Sequence, residues 1–137
     1  MPVLDANLLV VLVSGDSRRL SVLQQIIRWL DEGASLHTPF LAQYEIANAL
    51  TRLVVSGNFP ADKVDEAINN ILVLPIIFHP RVNIPRVVEI ARTLHRQRAY
   101  DAAYISLAES LNSELWTLDG PLYRNAIVYD FKVQLIR

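Results

Sequence analysis

Four carboxylates occupy apolar positions of the sequence, and carboxylates are side chains that bind divalent cations. They follow, open or interrupt hydrophobic runs, and they are Asp5, Glu45, Asp101 and Asp119. A carboxylate in such a place costs free energy unless another group compensates its charge. If the four side chains converge, they form an all-oxygen site of the kind that suits hard cations such as Mg²⁺ or Mn²⁺.

Each of these acids also has an ordinary structural explanation. Asp5 and Asp101 precede or begin helical segments, where a carboxylate accepts backbone hydrogen bonds or interacts favourably with the helix dipole. Asp119 comes directly before Gly120-Pro121, which is a turn signature. Glu45 interrupts an apolar stripe and needs only an edge position for its head group to reach water. Taken singly, most of the acids do not distinguish a metal site from caps and turns.

Two polar residues beside the acids favour a shared site. Asn7 follows Asp5 closely enough to orient its carboxylate or hold a water molecule. Thr117 points to the same side as Asp119 if the strand alternates, so its hydroxyl can support the site. Asp130 is a further acid near the end of the chain, and exposure to solvent is its simpler interpretation.

Hydrophobic periodicity predicts short strands that alternate with helices. Strands are predicted at residues 3–4, 35–37, 75–78 and 114–118, with a weaker one at 127–129. Helices are predicted at residues 7–13, 17–30, 38–56, 60–72, 83–97 and 101–111. Ser17 and Thr38 are the predicted caps of the second and third helices, with Pro39 in the first turn of the third.

This alternation predicts an α/β fold with three layers, α/β/α. Helices that separate strands cover both faces of a central, mostly parallel sheet, here of four to five short strands. In such sheets, ligands bind beyond the carboxyl ends of the strands. Asp5 and Asp119 each follow a predicted strand, which is the physical reason to expect that they meet.

Composition limits the classes of protein to consider. The 137 residues are predicted to form one domain spanning residues 1–137, and 52% of them are apolar, ample for a core. A formal net charge of −1 excludes a global attraction to nucleic acid, so any such contact is local. The absence of cysteine excludes disulfides, thiolate zinc sites and cysteine nucleophiles. The apolar run at residues 8–13 is too short to span a bilayer, and we expect a cytoplasmic protein with no membrane contact.

Other side chains carry weaker signals. The three histidines, His37, His79 and His95, have no metal-ligand spacing and are interpreted as structural or surface residues. A basic edge at Arg92, Arg96 and Arg98 either steers RNA toward Asp101 or is a solvated helix face. No glycine-rich phosphate loop is present.

In their order and spacing, the acids and their neighbours resemble the PIN domain family of metal-dependent ribonucleases, most closely its VapC-type toxins from prokaryotic toxin–antitoxin pairs. Four segments carry the resemblance: Val3-Leu4-Asp5-Ala6-Asn7-Leu8-Leu9, Tyr44-Glu45-Ile46-Ala47-Asn48-Ala49-Leu50, Tyr100-Asp101-Ala102-Ala103-Tyr104-Ile105-Ser106-Leu107-Ala108 and Leu115-Trp116-Thr117-Leu118-Asp119. The similarity covers essentially the whole chain. It implies that the four acids form a pocket for Mg²⁺ or Mn²⁺, with Asn7 and Thr117 as polar support.

The resemblance also implies an activity and partners. The expected function is a metal-dependent endoribonuclease that cleaves phosphodiester bonds of single-stranded RNA, as the toxin of a type II toxin–antitoxin pair. The expected partners are RNA, a small antitoxin protein and a second copy of the chain in a homodimer. Mg²⁺ takes only one or two carboxylates, so four acids suggest either two ions or one ion with further acids beside it.

Two other functions are considered. One is a catalytically silent module of the same fold that binds RNA or a protein, although clustered acids without a use destabilise a protein. The other is an aspartyl-phosphate phosphatase or receiver-like domain, which needs a second acid near Asp5 and a late lysine. Asn7 stands where that second acid would be, and neither Lys63 nor Lys132 is placed convincingly.

Overall fold

The computed structural model describes residues 1–137 and is built on a parallel five-stranded sheet. The strands are β1 (Val3–Leu4), β2 (Leu36–Pro39), β3 (Ile76–His79), β4 (Leu115–Thr117) and β5 (Val133–Leu135). They lie side by side in the order β3-β2-β1-β4-β5, and every neighbouring pair is parallel. The short strand β1 is therefore central, and β4 lies directly beside it.

Seven α-helices join and cover the strands. They are α1 (Ala6–Val13), α2 (Arg19–Asp31), α3 (Leu41–Val55), α4 (Val64–Leu72), α5 (Ile84–Thr93), α6 (Tyr100–Ser110) and α7 (Gly120–Val128), with a 3₁₀ turn at Ala61–Lys63 before α4. Helix α1 packs against α2, α3 and α4, whereas α5 and α6 pack against each other and α6 reaches β1, β2 and β4. The predicted three-layer α/β/α architecture is confirmed. None of the helices is long and apolar enough to cross a membrane.

The core is centred on β1 and α1. Val3 and Leu4 are fully buried, and most of α1 is buried on all sides, as expected for a helix that is apolar all round. One cluster of 29 buried residues joins these elements to the other strands and helices. Asp5 connects the buried strand to the buried helix, so its position in the molecule is fixed by packing on both sides.

The predicted start of the third helix is wrong. Thr38 and Pro39 belong to β2, and α3 begins at Leu41 after Phe40. A residue before proline is disfavoured in the helical region, which keeps Thr38 extended. Its buried hydroxyl donates a hydrogen bond to the carbonyl oxygen of Leu4 at 2.8 Å, so it ties β2 to β1 instead of capping a helix.

The predicted strand at residues 127–129 is also wrong. These residues end or follow α7, and the fifth strand is formed by Val133–Leu135 in the tail of the chain. The Asp-Gly-Pro sequence at residues 119–121 is both a turn and a helix start, because Asp119 caps the helix and Pro121 lies in its first turn.

Two helix ends differ from the predicted ones by a few residues. Helix α2 begins at Arg19 without a side-chain cap, so Ser17 is not its cap. Asp16 instead accepts a hydrogen bond from the backbone N–H of Arg18 at 2.8 Å. Helix α5 ends at Thr93, and His95 beyond it has a positive φ of 57° that terminates the helical path.

Candidate active site

The structure brings the four predicted carboxylates to one cavity of about 550 Å³. Asp5 and Asp119 follow the neighbouring strands β1 and β4, Glu45 lies in α3, and Asp101 lies in the first turn of α6. Asn7 lines the same cavity. The cavity therefore lies beyond the carboxyl ends of the strands, as expected for a parallel sheet.

Thr117 is the hub of the polar network under this cavity. Its fully buried hydroxyl donates a hydrogen bond to Oδ2 of Asp5 at 2.8 Å. The hydroxyl oxygen of Thr117 in turn accepts hydrogen bonds from the backbone N–H of Asp119 at 3.0 Å and from the amide Nδ2 of Asn7 at 3.3 Å. One hydroxyl thus links the ends of β1 and β4, since it contacts the carboxylate of Asp5 and the backbone of Asp119. Asn7 reaches Asp5 only through its backbone N–H, and its side chain amide contacts Thr117.

Asp5 and Asp119 are helix caps as well as cavity residues. Oδ1 of Asp5 accepts the N–H of Asn7 at 3.3 Å, and Oδ1 of Asp119 accepts the N–H of Leu122 at 3.0 Å. The capping explanation and the site explanation are therefore compatible. Capping uses Oδ1 and fixes the direction of each carboxylate, and Oδ2 of Asp119 has no hydrogen-bond partner in the protein.

Glu45 is held by a residue to which the sequence had assigned no role. The hydroxyl of Tyr104 donates a hydrogen bond to Oε1 of Glu45 at 2.5 Å, and Tyr104 is only 2% exposed. A buried tyrosine hydroxyl needs a polar partner, and that need was the available signal in the sequence.

The three most enclosed acids are electrostatically perturbed. Burial raises the pKa of Asp5 to about 7, the hydrogen bonds from Thr117 and Asn7 oppose this, and the charges of Glu45 and Asp101 add to it. Burial is thus a larger cause than the repulsion between like charges, although both raise the pKa of Asp5.

The pKa values of the other two acids move the same way. Burial raises the pKa of Glu45, which the Tyr104 hydrogen bond lowers in part and Asp101 raises further. Burial also raises the pKa of Asp101, with Arg96 lowering it and Asp119 raising it. The cavity therefore holds negative charge that the protein compensates only in part.

The donor set fits a hydrated divalent cation but not a closed ligand cage. No three Asp, Glu or His side chains are grouped tightly enough to ligate one ion by themselves. Mg²⁺ takes one or two carboxylates and keeps several waters or takes substrate phosphates, so it does not need such a cage. The carboxylate, amide and hydroxyl oxygens around the open cavity match that requirement.

Basic residues line the same cavity and were not predicted there. Arg18 is bound to Asp16 by an ion pair at 2.9 Å, and both residues line the cavity. Arg52, which is exposed and makes no salt bridge, lies on α3 two turns after Glu45. Of the predicted basic edge, Arg96 lies near enough to Asp101 to affect its pKa.

The histidines and Asp130 lie outside the cavity. Nδ1 of His37 and Nε2 of His79 are 2.8 Å apart, and Nε2 of His37 is 2.8 Å from the hydroxyl of Ser35. This pairing joins β2 to the edge strand β3 and was not expected from the sequence. Asp130 is exposed at the end of α7, with a positive φ of 62°.

Comparisons with known proteins define the class to which this fold and site belong. The PIN domain family model matches residues 3–128, so the chain belongs to the PIN domain family. Within this family, the chain is 34% identical over 122 residues to the VapC ribonuclease Mb0985 of Mycobacterium bovis. That alignment covers 87% of this chain and 86% of the relative. It is 28% identical over 122 residues to ribonuclease VapC3 of Pyrobaculum aerophilum, and this alignment covers 88% of this chain and 90% of that protein.

A solved structure supports the fold independently. The crystal structure of PAE2754 from Pyrobaculum aerophilum aligns with a TM-score of 0.65 and 22% identity, over 90% of this chain and 78% of that one. At this identity the similarity concerns the fold alone. The predicted membership in the PIN domain family is confirmed by the family match and by the curated relatives.

Proposed function

We propose that the protein is a divalent-metal-dependent endoribonuclease of the VapC type and the toxin of a type II toxin–antitoxin pair. The observation that carries this proposal is the convergence of four carboxylates from four different elements on one cavity. The names of the curated relatives, which are ribonucleases, supply the reaction class.

The proposed cation site is formed by Asp5, Glu45, Asp101 and Asp119, which hold either two ions or one ion with the remaining acids beside it. Mg²⁺ or Mn²⁺ bound there supplies an activated water and charge compensation for phosphodiester hydrolysis. The protein's own contribution is to fix the oxygens in advance. Thr117 and the helix caps orient Asp5 and Asp119, while Tyr104 fixes Glu45.

The proposed substrate is single-stranded RNA. A phosphodiester must reach acids that lie in a cavity, and an unpaired strand can present its backbone there more readily than a duplex. Arg52 supports this proposal because it places an unpaired cation on the wall of the same cavity. Such a cation attracts the phosphates on either side of the cleaved bond.

RNA cleavage in the presence of Mg²⁺, Mn²⁺ or a chelator tests the activity. We expect the wild type to cut single-stranded RNA with either ion and to lose this activity in chelator. Asp5→Asn and Asp101→Asn are expected to abolish cutting, because Asn keeps the size of the side chain and removes the charge. Asp65→Asn on α4 is the matched control, since Asp65 is exposed and does not line the cavity.

Two results would contradict the proposal. Undiminished cutting by both cavity variants would show that the acids are not the catalytic ligands. RNA binding without cleavage under any metal condition would favour the catalytically silent module of the same fold.

The proposed partners follow from the VapC relatives. We propose a small antitoxin protein and a homodimer, each of which can be tested directly. Light scattering of the purified chain measures its mass in solution, and a monomer would rule out the dimer. Co-purification with the product of an adjacent small gene, together with loss of RNA cleavage in the complex, tests the antitoxin.

A further inference from the structure

Tyr104 is the buried polar residue that connects the two helices carrying Glu45 and Asp101. It lies on α6 one turn after Asp101, and its hydroxyl reaches across to Oε1 of Glu45 on α3 at 2.5 Å. The Tyr104 side chain is 2% exposed, so its hydroxyl is shielded from water. The Glu45 side chain is half-buried and lines the cavity. The hydrogen bond therefore joins a buried donor to an acceptor on the cavity wall.

Glu45 has no other protein partner. It makes no salt bridge, and no other hydrogen bond to its carboxylate is present. A glutamate side chain has three rotatable bonds, and only the Tyr104 contact holds its head group in one position. By contrast, Asp5 and Asp119 are shorter and are each held by a helix cap.

We propose that Tyr104 is a positioning residue of the cation site, and that its hydroxyl holds the Glu45 carboxylate in place on the cavity that Asp101 also lines. The role of Tyr104 rests on the proposed function in one respect, which is that the cavity acids bind a divalent cation. Residues that hold metal ligands by hydrogen bonds commonly matter nearly as much as the ligands themselves.

The alternative is that Tyr104 only fills the core. In that case its ring is what matters, and Tyr104→Phe keeps the ring. Removal of the hydroxyl alone then separates the two roles, because a packing role predicts no change in cation affinity.

The test measures Mn²⁺ affinity by electron paramagnetic resonance without RNA. We expect Tyr104→Phe to weaken Mn²⁺ binding roughly tenfold, the lower end of the range for a lost partner of a metal ligand. Tyr123→Phe is the matched control, because Tyr123 is half-buried and its hydroxyl makes no hydrogen bond. Circular dichroism verifies that each variant is folded.

A double-mutant cycle with Glu45→Ala tests whether Tyr104 acts through Glu45. We expect Tyr104→Phe to have no further effect on Mn²⁺ affinity once Glu45 has been removed. Replacement of Tyr104 by p-aminophenylalanine restores a donor at the same position and is expected to recover most of the affinity. This rescue also covers the case in which the Phe variant is poorly folded.

Three results would overturn the proposal: unchanged Mn²⁺ affinity in Tyr104→Phe, an equal loss in the Glu45→Ala background, or no Mn²⁺ binding by the wild type. The nuclease proposal and the Tyr104 proposal can be refuted by different results. A wild type that binds Mn²⁺ but cuts no RNA would remove the nuclease function and leave the Tyr104 role intact. If Tyr104→Phe cut RNA and bound Mn²⁺ as well as the wild type does, the Tyr104 role would be removed and the nuclease function would be left intact.

Discussion

The two ends of helix α6 hold acids in opposite electrostatic conditions. At its C-terminal end, Glu109 forms two hydrogen bonds at 2.8 Å with the guanidinium of Arg86, which also contacts Glu89. At its N-terminal end, Asp101 lies among other acids. Burial raises its pKa, Arg96 lowers it in part, and the charge of Asp119 raises it further. One helix thus carries a paired acid and an incompletely compensated acid, and only the second lines the proposed active site.

The difference shows which acids are available to a ligand. The charges of Glu89 and Glu109 are paired with Arg86 inside the protein. An exposed ion pair of this kind contributes about 0.2–1 kcal/mol to stability. The cavity acids lack an equivalent cation, so their charge costs stability until a cation binds from outside. Incomplete compensation, and not the number of acids, distinguishes the site from the surface.

The largest effect expected from this comparison is stabilisation by a cation. Mn²⁺ should raise the free energy of unfolding of the wild type by about 2.7 kcal/mol when its concentration is 100 times its dissociation constant. Asp101→Asn should lose most of this stabilisation, whereas Glu109→Gln should keep it and lose only the modest energy of its ion pair. Urea unfolding with and without Mn²⁺ measures both, and equal stabilisation of the two variants would refute the distinction.

The two buried threonines offer a second comparison. Thr117 and Thr38 are both fully buried and both donate hydrogen bonds at 2.8 Å, one to Asp5 and the other to the carbonyl oxygen of Leu4. Thr117→Val and Thr38→Val should each destabilise the fold by about 1–3 kcal/mol, because each leaves a buried group without its partner. Only Thr117→Val should also reduce RNA cleavage strongly. Similar cleavage by the two variants would mean that Thr117 has only a structural role.

Acid should weaken the His37–His79 contact, because protonation of His37 places a positive charge in a buried position. Burial, followed by the nearby His79, lowers the pKa of His37 in the folded state. The unfolded chain therefore binds more protons below about pH 6.5, and stability should fall as the pH drops through this range. The loss should not exceed about 1.4 kcal/mol per pH unit for this single group.

Denaturant unfolding at several pH values between about 7.5 and 5.5 measures this loss. His37→Gln should remove part of the pH dependence. His95→Gln is the matched control, because His95 is exposed and its ring lies against Tyr129 instead of against the pair. An identical pH profile for wild type and His37→Gln would exclude the pair as its cause.

The central part of the fold and the position of the acids could be predicted from the sequence, because the local hydrophobic pattern agrees there with the overall fold. The apolar run before Asp5 and the apolar strand before Asp119 predict neighbouring strand ends, and the parallel sheet then brings both acids together. The C-terminal region was mispredicted because Ile127 and Val128 are β-branched residues at the end of a helix. Their strand propensity was overridden by tertiary structure, which uses residues 133–135 to extend the sheet.

Contacts between distant residues were less accessible. Tyr104 and Glu45 are 59 residues apart, and His37 and His79 are 42 residues apart. No periodicity within a helix or strand encodes such a pair, because periodicity reports only which face of an element is buried. The need of a buried hydroxyl for a partner indicates that a contact exists, but only the packing of α6 against its neighbours decides which acid it reaches.

The smallest effect concerns Arg52, the cation on the cavity wall that has no acidic partner. Arg52→Ala should raise the KM for RNA and leave kcat nearly unchanged, since the side chain contacts phosphates away from the cleaved bond in the proposed binding mode. Loss of one phosphate contact on a single strand should reduce the slope of log affinity against log salt by about 0.7.

The salt dependence separates a direct phosphate contact from a general charge effect. Arg28→Ala is the matched control, because Arg28 is exposed on α2 and does not line the cavity. Both variants change the net charge equally, so a contribution from overall charge would alter the two slopes alike. A smaller slope for Arg52→Ala alone would place RNA along the wall between Arg52 and the acids, whereas a lower kcat with unchanged KM would place Arg52 at the reacting phosphate instead.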